Sequence, residues 1–165
     1  MAMQGGYFIE TFNQRDFNAA SGLDILFVQD NQSRSSKGVL RGLHMQRGAS
    51  AQAKLVRVLE GLVLDIAVDL RRDSPSFGQH FAIELTGDNH KQFFIPAGFA
   101  HGFVVLSDAA TFIYKVDKFY EPGNEMGIMY NDPVLNIDWK LLDSEIILSE
   151  RDKSQRSFLD YVASI

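Results

Sequence analysis

Between Gln52 and Lys118 the chain keeps switching between apolar and polar residues with a period of two. In residues 62–70, Leu62, Leu64, Ile66 and Val68 share one face and Asp65 and Asp69 the other, as expected of a half-buried strand. The same reading predicts strands over residues 52–59, 80–85, 91–95, 102–106 and 110–118, separated by Glu60-Gly61, a loop with Pro75, Thr86-Gly-Asp-Asn89, Pro96-Ala-Gly98 and Ser107-Asp108. Upstream, residues 7–12 alternate and residues 23–28 form an apolar run, with a short helix or turn over residues 13–17 between them. Residues 38–46 form a further short apolar strand bracketed by glycine. About nine short strands at roughly ten-residue spacing indicate an all-β sandwich or barrel. After Tyr120 the pattern becomes irregular, and a helix is expected over residues 152–163 with Ser149 as N-cap.

Composition narrows the class. The 165 residues suit one domain, 1–165, with no linker or repeat. There is no cysteine, which removes disulfides, thiolate nucleophiles and cysteine-ligated zinc together. A net charge of −5 argues against nucleic acid as a partner, because phosphate neutralisation needs a basic surface. No apolar run reaches membrane-spanning length and no basic leader follows Met1, so a cytoplasmic protein without a membrane partner is expected.

The strand at residues 38–46 carries Arg41, His44 and Gln46 on an otherwise apolar segment. Burying three polar side chains there is costly unless they meet partners or a ligand. Arg41 and His44 are an odd number of residues apart and would face opposite ways in a regular strand, so Gly42 is expected to mark a bulge that re-aims one of them. Pro96-Ala-Gly-Phe-Ala-His101 resembles the second half of the cupin signature, in which the histidine binds metal. The first half of that signature needs His-x-His, and here His44 is followed by Met45 and Gln46, so a cupin-type jelly roll without a metal is expected. The remaining equipment is acid–base: His44 as base, Tyr114 as proton donor, and Lys54 to stabilise a developing oxyanion. A metal-dependent cupin oxygenase is a further reading.

Gly38-Val-Leu-Arg-Gly-Leu-His44, Ala51-Gln-Ala-Lys-Leu-Val-Arg57, Asp65-Ile-Ala-Val-Asp-Leu-Arg71, Ser74-Pro-Ser-Phe-Gly78, Phe94-Ile-Pro-Ala-Gly-Phe-Ala-His-Gly-Phe103 and Tyr130-Asn-Asp132 together resemble the dTDP-4-dehydrorhamnose 3,5-epimerase family. The resemblance runs from about residue 5 to the end. It implies a cupin-type jelly roll (double-stranded β-helix) with a short C-terminal helical segment, a homodimer in which residues 7–11 cross to the partner, and no cofactor. It further implies epimerisation of dTDP-4-dehydro-6-deoxy-D-glucose at C3 and C5 to dTDP-4-dehydro-L-rhamnose, in deoxysugar biosynthesis. By position, His44 matches the family's proton acceptor, Tyr114 its proton donor, Asp152 the aspartate paired with the histidine, and Lys54 the lysine near the C4 oxygen. Tyr120 matches the aromatic that stacks on thymine, and Glu10, Gln29, Asp30, Asn31, Arg41, His101, Glu125 and Arg151 fall at nucleotide-sugar-binding positions. Gly5 stands where the family has a diphosphate-binding arginine, which implies weakened phosphate recognition. A single-centre epimerase, a ketoisomerase on a related sugar nucleotide, and a non-catalytic sugar-nucleotide-binding module are the alternative readings.

Overall fold

A computed structural model describes residues 2–3 and 5–165. Two short strands, β1 (Ala2–Met3) and β2 (Gly6–Tyr7), form a hairpin ahead of helix α1 (Gln14–Ser21). Asn13 caps that helix by accepting from the Asp16 N–H. There follow β3 (Gln29–Ser36), β4 (Leu40–Gln46), β5 (Lys54–Glu60), β6 (Leu62–Asp69), β7 (His80–Thr86), β8 (Gln92–Ile95), β9 (Phe99–Val105), β10 (Ala109–Val116) and β11 (Glu125–Gly127). The chain ends with two short helices, α2 (Glu150–Lys153) and α3 (Phe158–Ala163).

The pairing is nested: β3 with β10, β4 with β9, β5 with β8 and β6 with β7, all antiparallel. A long double strand of this kind, rolled so that β10 also pairs with β5 and β9 with β6, gives two facing sheets, β3-β10-β5-β8 and β11-β4-β9-β6-β7. This is the jelly roll. Between the sheets lies a core of Val56, Val58, Val63, Ala67, Leu85, Ile95, Phe103, Val105, Ala110 and Phe112. The outer face of the five-stranded sheet is buried as well, beneath Trp139, Phe158 and Tyr161 of the C-terminal region. Asp132 anchors that region: its carboxylate accepts from the N–H groups of Val134, Leu135 and Phe158 at 2.9, 3.2 and 2.7 Å. The expected half-buried character of β6 is therefore corrected. Both of its faces are covered, and Asp65 and Asp69 are buried with partners, His101 for the first and Arg71, Ser74 and Ser76 for the second.

Three other expectations also change. Residues 23–28 form no strand, because the Gln14 side chain takes up their backbone groups, donating to Ile25 O at 2.5 Å and accepting from Phe27 N–H at 3.2 Å. Phe27 instead packs with Phe12 and Phe17, and Phe17 in turn meets Phe94. The strand lies in the polar run that follows, since β10 supplies the ladder for residues 29–36. In residues 7–12, only Tyr7 belongs to a strand. The helix expected over residues 152–163 is two helices, because Ser157 caps a second start and Asp132 claims the Phe158 N–H.

The bulge expected at Gly42 is present. Arg41 pairs with Phe103 and His44 with His101, so three steps on β4 match two on β9. Leu40, Leu43 and Met45 consequently face the outer core while Arg41, His44 and Gln46 face the space between the sheets. Gly42 sits at φ +135°, and a Cβ there would lie 2.5 Å from the Gly102 Cα and 2.9 Å from the His101 carbonyl oxygen. Both obstacles are backbone. Gly42→Ala is expected to destabilise the fold by about 2 kcal/mol or more, lowering Tm by roughly 4–8 °C. An unchanged melt would mean that β4 and β9 can separate at no cost.

Candidate active site

At one end of the sandwich the sheets part around a cavity of about 450 Å³. Its floor is the stacked pair Phe103 and Phe112, with ring centroids 4.2 Å apart, one from each sheet. The two walls carry different chemistry. On the β4–β9 wall, His44 Nε2 is hydrogen-bonded to Asp152 Oδ1, and beside it His101 Nε2 meets Asp65 at 3.0 and 3.1 Å. On the facing sheet stand Asn31, Tyr114 and Lys54. Tyr114 pairs with Asn31 on one side and Val56 on the other, and Lys54 is two residues from Val56, so these side chains share the inner face.

Each charge state has a local cause. Asp152 is 4% exposed, and burial works to raise its carboxyl. The bonds from His44 and from the Ser149 hydroxyl, the latter 2.7 Å, outweigh burial and hold it below its usual value. It therefore stays ionised beside the histidine. Burial brings the Lys54 ammonium down to about 8, opposed by the nearby Asp65 and Glu125 carboxylates. Burial, reinforced by Glu125, pushes the Tyr114 phenol up, so at neutral pH it holds the proton a general acid must supply. Burial also raises Asp65 and lowers His101, each opposed by the other's presence.

The rim is formed by a second cluster. The Tyr120 hydroxyl donates to Glu125 Oε2 at 2.5 Å, and Arg151 is paired with the same carboxylate. Burial would raise Glu125, but the bonds from Tyr120 and Arg151 bring it below its usual value. Among the described residues no three His, Asp or Glu side chains gather as metal ligands would.

Ten of the thirteen expected site residues line this cavity: Asn31, Arg41, His44, Lys54, His101, Tyr114, Tyr120, Glu125, Arg151 and Asp152. Gln29 lies just behind, donating to Asn31 Oδ1 at 2.9 Å. Two lie elsewhere in this chain. Asp30 alternates to the outer face of β3, where it is paired with Lys115 at 2.8 Å. Glu10 is exposed and meets Asn13, and Gly5 is likewise exposed with open space around it. The sequence reading singled out Gln46 as needing a partner or ligand but missed Ser149 and Gln52, which line the cavity, and Asp65, which partners His101 behind it. For Asp65 a signal existed: a carboxylate at a position that alternates inward on a strand with an apolar opposite face.

A jelly roll whose inner walls carry a histidine–carboxylate pair facing a tyrosine and a lysine is a cupin-type fold equipped for proton transfer at carbon. Comparison with known proteins narrows this class. The family model described as dTDP-4-dehydrorhamnose 3,5-epimerase matches residues 2–160, and the chain belongs to that family. It is 54% identical over 155 residues to the dTDP-4-dehydrorhamnose 3,5-epimerase of Pseudomonas aeruginosa, covering 94% of this chain and 84% of that protein. The crystal structure of dTDP-4-dehydrorhamnose 3,5-epimerase from Elizabethkingia anophelis superposes with a TM-score of 0.93 at 52% identity, covering 96% of this chain and 87% of that one. That of dTDP-6-deoxy-D-glucose-3,5-epimerase from Legionella pneumophila, in complex with dTDP-4-keto-L-rhamnose, superposes with a TM-score of 0.90 at 48% identity, covering 94% and 82%.

Proposed function

We propose that the protein epimerises dTDP-4-dehydro-6-deoxy-D-glucose at C3 and C5 to dTDP-4-dehydro-L-rhamnose, in dTDP-rhamnose biosynthesis. The observation that carries this reading is the placement of a base and an acid on opposite walls of one cavity: His44 of one sheet, paired with Asp152 of α2, and Tyr114 of the other sheet. The C3 and C5 protons both flank the C4 ketone, so one arrangement serves both centres. His44 takes the carbon proton, the electron pair moves onto the C4 oxygen as an enolate, and the Lys54 ammonium stabilises that charge. Tyr114 then delivers a proton to carbon from the opposite face, which inverts the centre. The family likeness supports the same roles, with Tyr120 as the wall for thymine and Asn31, His101, Glu125, Arg41 and Arg151 as binding residues. Every step is proton transfer and needs no cofactor. With Gly5 in place of an arginine, Arg41 and Arg151 are the cations left at the cavity for a diphosphate. The test is incubation with the ketosugar nucleotide in deuterated buffer: one solvent deuterium at each of C3 and C5 is expected. Label at one carbon alone would make it a single-centre epimerase, and none at either would leave a binding module.

The chain is read as one domain, working in the cytoplasm as a homodimer. Among the described residues no helix is long and apolar enough to cross a membrane. Tyr7, Phe8 and Ile9 are 67%, 76% and 45% exposed in the single chain, an apolar run suited to a second copy. Glu10 follows directly and lies outside its own chain's cavity, which fits delivery to a partner's site. Sedimentation at micromolar concentration should give a dimer; a monomer would refute the exchange.

A further inference from the structure

Tyr120 belongs to neither sheet. It stands on the connection between β10 and β11 and is 48% exposed, yet it lines a cavity built mostly from strands. Something must hold it. Its hydroxyl is tied to the side chains of Glu125 and Arg151, which are paired with each other, and Arg151 is itself exposed. The ends of the connection are held by main-chain bonds, Asp117 to Ala53 and Arg47 to Asn124, and inside them the backbone on either side of Tyr120 is gripped by glutamines that line the cavity. Gln52 Nε2 donates to the Lys118 carbonyl at 2.6 Å, and Gln46 Oε1 accepts from the Glu121 N–H at 3.1 Å. Gln46 is 4% exposed, two residues beyond His44 on the same face of β4.

The orientation of the Gln46 amide follows from its partner. A backbone N–H can only donate, so the oxygen must face Glu121, and Nε2 is left with no acceptor among the described residues. Leaving a buried donor unpaired is unfavourable, and an aliphatic side chain of similar size would avoid the cost. An acceptor for Glu121 is what such a side chain could not provide.

Building on the function proposed above, we propose that Gln46 and Gln52 are positioning residues that fix the Tyr120 connection as the nucleobase wall, and so set nucleotide affinity without taking part in proton transfer. The bracket ties that wall to the strand bearing His44, so base and nucleotide are held in one register. The variants Gln46→Met, Gln46→Glu and Gln52→Leu separate this from general packing. Gln46→Met removes the acceptor; it should raise the Kd for dTDP and the KM for the ketosugar nucleotide by about tenfold or more, with kcat at saturation within about threefold. Gln46→Glu keeps an acceptor for the Glu121 N–H and should stay near the native Kd. If Gln46→Met does not fold, Gln52→Leu, at the half-buried other end, carries the same expectation. An unchanged Kd for dTDP in the folded variants, a fall in kcat that matches the rise in KM, or a loss in Gln46→Glu as large as in Gln46→Met overturns the proposal. Loss of dTDP affinity in Gln46→Met alongside a native protein that exchanges no deuterium would sink the reaction and leave the bracket standing.

Discussion

Replacing His44 by alanine is expected to lower kcat about 10²- to 10⁴-fold while leaving the Kd for dTDP within a few-fold of native, because a positioned base acts in the transition state and contributes little to nucleotide binding. Deuterium incorporation at C3 and C5 should fall together, since one imidazole serves both carbons. The carboxylate behind it has a separable effect. Asp152 is fixed by its place as the third residue after the helix cap: Ser149 accepts from the Asp152 N–H at 3.2 Å and donates to its Oδ2 at 2.7 Å. Asp152→Asn preserves shape but offers the histidine an amide in place of a carboxylate, so kcat should fall, though less than in His44→Ala. Deuterium exchange that survives in His44→Ala would transfer the base to another group. His101 is the next imidazole on that wall, although Asp65 already occupies its Nε2.

The sheets were legible in the sequence where polar and apolar residues alternate along a strand, as in β7, because a period of two has a direct physical cause in a strand with one exposed face. It failed where that cause is absent. β3 is wholly polar, Gln29 to Ser36, since one face serves the cavity and the other solvent, while in the apolar run 23–28 Phe27 packs against Phe12 and Phe17 and Leu23, Leu26 and Val28 stay exposed in the single chain, with no strand formed. β6 was read with one wet face because its aspartates look like surface residues; their partners, His101 and Arg71, lie 36 and 2 residues away. The bulge at Gly42 was readable because two residues that both need the cavity stood an odd number apart. Asp30 is next to Asn31, but alternation sends it to the opposite face of β3, away from this chain's own cavity.

Lys54→Met is expected to abolish most activity and yet stabilise the protein. The lysine stands between two demands. Near the ketone its ammonium stabilises the enolate, and removing a donor at a developing oxyanion typically costs about 10²–10³ in kcat. In the folded protein, however, burial outweighs the pull of Asp65 and Glu125, and its pKa falls from 10.5 to about 8. Between those two values the unfolded chain binds more protons than the folded one, so the native protein's stability rises with pH through that window. Below pH 8 the lysine is charged in both states and the full cost of burying the charge is carried, on the order of 2–4 kcal/mol at 1.36 kcal/mol per unit. Methionine keeps the aliphatic stem and removes the charge. The variant should therefore melt several degrees higher than native at pH 7, with the gain shrinking as pH approaches 10. Activity should follow the same group in the opposite sense: native kcat falls above pH 8 as the ammonium is lost, and the small residual rate of Lys54→Met shows no such limb. Should the variant melt below native at pH 7, the two carboxylates outweigh burial, the alkaline limb would lie well above pH 8, and the lysine would be part of what holds the cavity together.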